Sequence, residues 1–250
     1  MGKIVIGVDS STQSTKAIAW DINGKAIAEG RCDIPLHNPS LEKFEQNVED
    51  WWRAFCVSTQ ELCQKIDINE VDGLAISNQR ETLAKLDSLG KEVYPATVWM
   101  DKRSVKEVEE LNSIMGEGRI HEITGRPKDP CPCLYRVLWM RNHEKKFFDQ
   151  IDCFADVQAF LVHRLSGEFN TGWISSDPHG MFDVVNKCWS QEILEQLTID
   201  ESRLPKSFRP GTLIGKVNLS ASKETGLKEG TPICAGGGDG QLAGLGTKCT

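Results

Sequence analysis

The chain has 250 residues, with 29 basic and 36 acidic side chains and a formal net charge of −7. This length provides material for one large domain or two small ones with a sizeable core. The acidic balance argues against a general affinity for nucleic acid or for anionic membranes. No segment has the unbroken apolar length of a membrane-spanning helix, and the N-terminus lacks a signal-peptide pattern, so the cytosol is the expected compartment.

Nine cysteines are scattered along the chain without regular spacing. Cys131 and Cys133 are too close for a C-x-x-C pair, and no histidine stands at zinc-finger spacing from them. We therefore expect reduced and mostly buried thiols rather than a metal site.

The first predicted element is a meander of three strands over residues 3–34. Its apolar segments, at 4–8, 17–20 and 26–28, are separated by polar turns. The second turn contains Asn23-Gly24, the strongest short-range hairpin signal, because both central residues of its favoured turn take positive φ.

The turn between the first two strands is rich in hydroxyl side chains. Asp9 stands at the tip of the first strand and is followed by Ser10, Ser11, Thr12, Gln13, Ser14 and Thr15. Backbone N–H groups and hydroxyls in such a turn can bind a phosphate, and the carboxylate can hold a hydrated Mg²⁺. A polar hairpin turn without a ligand explains the same residues equally well.

A helix and a buried strand are predicted next. Apolar residues recur every three or four positions over 47–66, and they include Trp51 and Trp52, which we interpret as core residues. The apolar run at 71–77 predicts a strand that joins the same sheet in parallel through the helical crossover. It ends in a polar cluster at 78–81, and ligands of open α/β sheets bind at such strand ends.

Short strands and helices alternate over the rest of the chain. A second hairpin is predicted over 82–94, and Asp101 is expected to cap a helix that runs to about Ile114. Further helices are predicted at 134–143, 155–165, 191–197 and 220–225, short strands at 213–217 and 232–235, and loops with short strands over 167–189. A glycine-rich turn at 235–240 then leads into a last helix. No Walker-type phosphate loop or dinucleotide fingerprint is present.

Four separated motifs resemble those of the FGGY family of carbohydrate kinases, which includes glycerol kinase, xylulokinase, ribulokinase and gluconokinase. They are the Asp9 turn, Asn78-Gln79-Arg80-Glu81, Val98-Trp99-Met100-Asp101-Lys102-Arg103 and Gly237-Gly238-Asp239-Gly240-Gln241. The resemblance keeps order and spacing from about Lys3 to the C-terminus. It implies an α/β fold: a ribonuclease-H-like (actin-like ATPase) domain with a mixed sheet and flanking helices. Residues 1–250 would form the N-terminal, sugar-binding domain, and a second, adenosine-binding domain is not found in the chain.

The resemblance also implies an activity, the ATP-dependent phosphorylation of a sugar or polyol hydroxyl with Mg²⁺. A hydroxyl is a poor nucleophile, so the transfer needs positioning, charge neutralisation and a proton acceptor. Asp239 matches the catalytic aspartate of the family, and such a base contributes ~10²–10⁴ in rate. An aspartate before a helix can also be a simple cap.

On the phosphate side, Asp9 matches the family's acid that orients Mg²⁺ and the transferring phosphate. The resemblance gives phosphate contacts to the rest of the turn and to a basic position that follows it: Ser11, Thr12, Gln13, Ser14 and Lys16. Many members have glycine where Ser11 stands, so the shape of this turn departs from the usual pattern.

On the acceptor side, Gln79, Arg80 and Glu81 resemble the glycerol kinase version of the substrate motif. Arginine supplies donors and glutamate supplies acceptors to vicinal hydroxyls, whereas an exposed Arg–Glu pair without a ligand contributes little. Trp99 matches an aromatic residue that packs on the carbon side of the substrate, and a plain core tryptophan is the alternative.

Two departures predict a remodelled pocket for another polyol or a ketose, such as xylulose. Gly240 follows Asp239 where glycerol kinase has glutamine, and residues 129–133 replace an aromatic segment. Asp177, His179 and Asp183 are expected to be structural or surface residues.

The expected partner is a small sugar or polyol, with no nucleic acid or membrane, and the full-length protein is expected to be a homodimer. Two other functions stay open at this point. They are an actin-like ATPase without a sugar acceptor and a non-catalytic sugar-sensing or scaffold domain.

Overall fold

The structure is a computed structural model that describes residues 3–249. Its strands are β1 (Ile4–Ser10), β2 (Ser14–Asp21), β3 (Ala26–Asp33), β4 (His37–Ser40), β5 (Lys43–Gln46), β6 (Val71–Asn78), β7 (Leu83–Leu86), β8 (Glu92–Thr97), β9 (Cys153–Ala155), β10 (Asn170–Gly172), β11 (Phe182–Asp183), β12 (Cys188–Trp189), β13 (Lys206–Phe208), β14 (Leu213–Lys216) and β15 (Pro232–Gly238). Its helices are α1 (Val48–Cys63), α2 (Val105–Met115), α3 (Arg119–Thr124), α4 (Cys133–His143), α5 (Lys145–Phe148), α6 (Val157–Ser166), α7 (Trp173–Ser176), α8 (Gln191–Leu197), α9 (Leu219–Thr225) and α10 (Asp239–Gly246).

The main sheet has six strands in the order β14-β15-β6-β1-β2-β3. β1, β2 and β3 form the predicted antiparallel meander, and β6 joins β1 in parallel after α1, as predicted. β15 is parallel to β6, so β1, β6 and β15 end at the same edge. In this register Ser77 of β6 is paired with Asp9 on one side and with Gly237 on the other. The three predicted polar strand ends therefore meet.

The hairpin between β2 and β3 forms where it was predicted, but its turn differs. Gly24 has φ +78°, whereas Asn23 is not left-handed. The carboxylate of Asp21 accepts hydrogen bonds from the backbone N–H groups of Asn23 and Lys25, both at 2.9 Å. The prediction of two positive φ angles is therefore wrong, because the aspartate stabilises a turn that needs only one left-handed residue.

Helix α1 packs on the main sheet and fixes its core. Its N-cap is Asn47, whose side chain accepts from the backbone N–H of Glu49. Trp51 is fully buried and meets Phe160 of α6 edge to face, with ring centroids 5.8 Å apart. Such a pair adds about 0.5–1.5 kcal/mol beyond the burial of its area. The prediction that Trp51 and Trp52 are core residues is confirmed.

A second sheet of five strands, in the order β4-β5-β8-β7-β9, lies with a second core. This core is built from α2, α4 and α8 together with Leu83 and Phe154 of the second sheet. The chain thus has two adjoining cores, one on each sheet. No helix within residues 3–249 is long and apolar enough to cross a membrane.

Asp101 does not cap a helix. It is buried, and its carboxylate accepts from the backbone N–H of Phe44 at 2.8 Å and from the guanidinium of Arg103 at 2.8 Å. Helix α2 begins at Val105, and Ser104 stands at its N-cap position. The prediction was wrong because the Asp101 carboxylate is bound by Arg103, two residues later, and by the backbone of β5.

All nine cysteines are free thiols, but fewer are buried than expected. Only Cys133 and Cys153 are buried, while Cys188 and Cys249 are exposed and the remaining five are partly exposed.

Candidate active site

Asp9 and Asp239 line one cavity, which runs along a face of the main sheet from Trp20 to the shared strand edge. The cavity has a volume of about 440 Å³ and is lined also by Lys16, Ser77 and Trp20. Asp9 reaches it from β1, and Asp239 reaches it from the first residue of α10, directly after β15. The parallel arrangement of β1, β6 and β15 is what brings two acids 230 positions apart in sequence to the same opening.

One carboxylate oxygen of Asp9 has no hydrogen-bond partner among the described residues 3–249. Ser11 donates its hydroxyl to the other oxygen, Oδ2, at 2.6 Å, while Oδ1 is buried and unpaired. Buried polar atoms are normally satisfied, so an unpaired oxygen on a residue that lines a cavity is a candidate ligand atom. A hydrated Mg²⁺ fits this atom, because carboxylate oxygens and waters are the ligands that Mg²⁺ prefers.

Lys16 stands beside Asp9 on the neighbouring strand. The β1–β2 register pairs the two residues, and Lys16 lines the same cavity. Its ammonium group lies 2.8 Å from the exposed carboxylate of Glu29. A solvent-exposed pair of this kind contributes little to stability, so the lysine can exchange this partner for an anion.

The turn after Asp9 is closed by the backbone N–H of Ser11, which donates to Ser14 O at 3.0 Å. Gln13 is exposed at its tip. Thr12 is engaged within the protein, since its hydroxyl donates to Gln79 Oε1 at 3.1 Å and accepts from Trp99 Nε1 at 3.2 Å. Thr12 thus connects the phosphate turn with two residues of the acceptor motifs.

Gln79 is buried, with 2% of its surface exposed. Its amide oxygen accepts from Thr12 and Thr82, both at 3.1 Å, and its amide nitrogen donates to Gln46 at 2.8 Å. These bonds place its side chain between the turn and the second sheet.

Arg80, Glu81, Arg126 and Asp177 form one group of ion pairs, called here the charged cluster. Arg80 Nη2 donates to both carboxylate oxygens of Asp177, at 2.9 and 3.1 Å. Arg126 Nη2 donates to Glu81 Oε1 at 2.8 Å. Arg80 and Arg126 therefore each have a carboxylate partner at hydrogen-bond distance.

The pKa values of the two acids in the charged cluster are shifted. Burial raises the pKa of Glu81, and the positive charges of Arg80 and Arg126 oppose that shift. Burial likewise raises the pKa of Asp177, again against Arg126 and Arg80. Both carboxyl groups therefore titrate above the range of an ordinary exposed acid.

The backbone of Glu81 is left-handed, with φ +46°. This conformation is uncommon for a residue with a side chain and often occurs at functional sites. The buried guanidinium of Arg136 donates to Glu81 O, to Val98 O at 2.6 Å and to Cys131 O at 2.9 Å. Arg136 thus holds the Glu81 backbone against two neighbouring segments.

The glycine run before Asp239 allows a close approach of other chain segments. A Cβ on Gly236 would lie 2.1 Å from Ile76 O, and a Cβ on Gly238 would lie 2.6 Å from Arg80 Cδ. The stem of Arg80 therefore crosses Gly238 next to Asp239, which places the charged cluster beside the predicted base.

Asp239 is the first residue of α10, and Gly238 occupies the N-cap position. Its Oδ1 accepts only from the next backbone N–H, that of Gly240, at 2.7 Å. The simple cap considered for this residue is therefore absent, and the side chain lines the cavity instead.

Trp99 is not a core residue, since 46% of its surface is exposed. Its ring lines a second cavity of about 350 Å³ together with Phe44, Pro130 and Cys131. The Cys131 carbonyl shares the Arg136 guanidinium with Glu81, so this cavity adjoins the charged cluster.

Sequence reasoning missed Asp177 and Arg126. Asp177 was expected to be structural or at the surface, and its ion pair with Arg80 agrees with a structural role, but the partner was not predicted. His179 is buried, 3.7 Å from Asp156. The carboxylate of Asp183 accepts from the backbone N–H groups of Val185 and Asn186 in the turn that follows it. Both observations agree with the structural roles expected for these residues. Arg126 lies in an irregular segment and Asp177 begins a three-residue 3-10 helix, so neither segment has a periodic pattern that could link positions 51 apart.

Comparison with known proteins identifies the family. The model of the N-terminal domain of the FGGY family of carbohydrate kinases matches residues 4–246. The chain belongs to the FGGY family of carbohydrate kinases. The expected fold class is confirmed, because the mixed α/β structure matches N-terminal domains of this actin-like ATPase fold.

The names of similar proteins indicate that they act on different acceptors. The autoinducer-2 kinase of Yersinia enterocolitica is 27% identical over 253 residues, covering 98% of this chain and 47% of its own length. A ligand-bound xylulose kinase from Lactobacillus acidophilus superposes with a TM-score of 0.93 at 27% identity, over 98% of this chain and 50% of its own. A gluconate kinase from the same organism gives a TM-score of 0.91 at 27% identity, over 97% and 49%. The chain spans about half the length of the curated relatives it matches.

Proposed function

We propose that the protein, at its full natural length, transfers the γ-phosphoryl group of ATP to a hydroxyl of a sugar or polyol. The observation that carries this proposal is the single cavity that Asp9 and Asp239 line. Membership of a carbohydrate kinase family supports it. That the full-length protein is a homodimer in the cytoplasm remains a prediction from the sequence.

In this proposal Asp239 accepts the proton of the attacking hydroxyl. Its side chain is bonded only to its own helix N-terminus, so one oxygen is free for a substrate. When bound, MgATP supplies the phosphoryl group and a divalent charge that offsets the negative charge of the phosphates. The unpaired Asp9 Oδ1 would hold a water of the metal, and Lys16, Ser11, Gln13 and Ser14 would contact the phosphates.

On the other side of Gly238, Arg80 and Glu81 would bind the acceptor hydroxyls, and Trp99 would pack against its carbons. Thr12 and Gln79 would position these groups rather than touch a ligand, because their side chains are bonded to one another and to Trp99 and Gln46. The second, 350 Å³ cavity lies beside Trp99, on the side where the carbons of the acceptor would pack.

ADP formation tests the proposal directly. The full-length protein is incubated with MgATP and with C3–C7 polyols, ketoses and aldonates. ADP release that depends on an acceptor, with a phosphorylated product, supports the kinase. Release without an acceptor would indicate an ATPase, and binding of a sugar without release would indicate a sensing domain.

A further inference from the structure

The four side chains of the charged cluster are all mutual neighbours. Arg80 lies 2.9 Å from Asp177 and 3.8 Å from Glu81, while Arg126 lies 2.8 Å from Glu81 and 3.6 Å from Asp177. Arg126 Nε also donates to the backbone carbonyl of Asp177 at 3.3 Å. Each acid is therefore within ion-pair distance of both arginines, and the cluster carries no net charge.

These side chains remain partly open, with 16–28% of each exposed. Arg80 Nε has no partner, and the stem of Arg80 crosses Gly238 beside Asp239. Asp177 also lines a cavity of about 340 Å³ with Gln241 and Pro210. The cluster thus offers donors and acceptors to a ligand in the cavity beside Gln241, two residues after Asp239.

Three further charges lie around the cluster, and one of them, Lys187, lines the Asp177 cavity but is exposed, so solvent screens its charge. Arg136 adds one positive charge, but its guanidinium is buried and bonded to backbone carbonyls. Asp239 adds one negative charge on the other side of Gly238. A carboxylate on the acceptor would meet Arg80 and Arg126, which are already paired. It would also lie near three acids, namely Glu81, Asp177 and Asp239.

A neutral chain of vicinal hydroxyls suits this arrangement better. Each hydroxyl can donate to Glu81 or Asp177 and accept from Arg80 or Arg126, so all four groups gain a bond without a change of net charge. Placing like charges together is the usual means by which a site rejects the wrong ligand.

We propose that Arg126 and Asp177 are specificity-determining residues, which select a neutral polyol or ketose and reject the aldonate of the same carbon skeleton. This inference rests on the kinase activity proposed above. This preference would distinguish the chain from the similar gluconate kinase of Lactobacillus acidophilus, whose name indicates an anionic acceptor.

The test compares matched acceptors in the full-length protein. Alditols and ketoses of three to seven carbons are measured against aldonates of the same length, for example xylitol and xylulose against xylonate. For the best chain length we expect kcat/KM to favour the neutral acceptor by about tenfold or more.

Two variants should move this preference in opposite directions. Asp177→Asn removes a negative charge, so the neutral-to-aldonate ratio should fall by about tenfold. Arg126→Gln removes a positive charge, so the ratio should rise. Asp72→Asn is the matched control, because this exposed acid lies at the opposite end of β6 and pairs only with Lys3, at 3.5 Å.

The outcomes separate the two proposals. Equal use of aldonates and neutral acceptors by the unmodified protein overturns the inference and leaves the kinase intact. A neutral preference that neither variant shifts beyond the Asp72→Asn control overturns the roles of Arg126 and Asp177. Absence of ADP formation with every acceptor overturns the kinase itself, and the inference with it.

Discussion

The phosphate turn at 9–15 and the charged cluster lie on two sides of Asp239 and are organised in contrasting ways. The turn leaves Asp9 Oδ1 unpaired and exposes Gln13, so its ligand-facing atoms are free. In the charged cluster, every charge already has a partner within the protein. The turn therefore keeps an acceptor atom available to a ligand, whereas the cluster is preorganised and can discriminate between ligands.

The largest expected effect comes from the residue between the two regions. Asp239→Asn removes the proposed proton acceptor but keeps the shape, so kcat should fall by ~10²–10⁴. The melting temperature should not change, because the side chain bonds only the neighbouring backbone N–H. Acceptor-dependent ADP formation is the measurement, with Asp72→Asn as control, and turnover at the unmodified rate would refute the base assignment.

A change on the phosphate side should act through the metal. Asp9→Asn should weaken the apparent Mg²⁺ affinity by ~10–100-fold, the usual cost of losing a group that orients a metal ligand. The rate is measured as a function of Mg²⁺ concentration at saturating acceptor. An unchanged Mg²⁺ dependence would show that Asp9 does not face the metal.

On the acceptor side, pH provides a graded test. The pKa values of Glu81 and Asp177 are raised by burial, so both carboxylates take up protons at higher pH than ordinary acids. Only the ionised forms can accept from acceptor hydroxyls with both oxygens, so KM for the acceptor should rise as pH falls into the raised titration range of these two groups. In Glu81→Gln this dependence should become shallower, and the same slope in both proteins would contradict the assignment.

The smallest expected effect concerns the connection between the two regions. Thr12→Val removes the hydroxyl that links Trp99 to Gln79, but Gln79 keeps its bond from Thr82. The loss of a hydrogen bond worth ~0.5–1.5 kcal/mol predicts a rise of ~2–10-fold in acceptor KM. Thr12→Ser, which retains the hydroxyl, should behave as the unmodified protein. Equal effects of the two substitutions would exclude the hydrogen bond as the cause.

The sequence predicted the elements that have a clear period or turn signal. The meander, α1 and the parallel β6 follow from apolar spacing, from Asn23-Gly24 and from the helical crossover, whereas the parallel pairing of β15 with β6 was not predicted. Helix α3 was missed because its six residues, between Gly118 and Gly125, are too few to show a period.

The site was predicted where motifs follow strands and was missed where partners come from loops. Asp9, Arg80 and Asp239 follow directly from strand ends. The roles of Asp177 and Arg126 in the charged cluster could not be found, because an ion pair between residues so far apart in sequence leaves no local pattern. Asp101 illustrates the reverse error, since a strong local capping signal was overridden by a nearby arginine.

The most direct test of the central claim is an experimental structure of the full-length protein with Mg²⁺, a non-hydrolysable ATP analogue and an acceptor. The account predicts that Asp239 lies about 2.6–3.2 Å from the acceptor hydroxyl that receives the phosphoryl group. It also predicts that Asp9 Oδ1 contacts a water of the metal in the same cavity. A γ-phosphate bound outside the cavity that Asp9 and Asp239 share would contradict it.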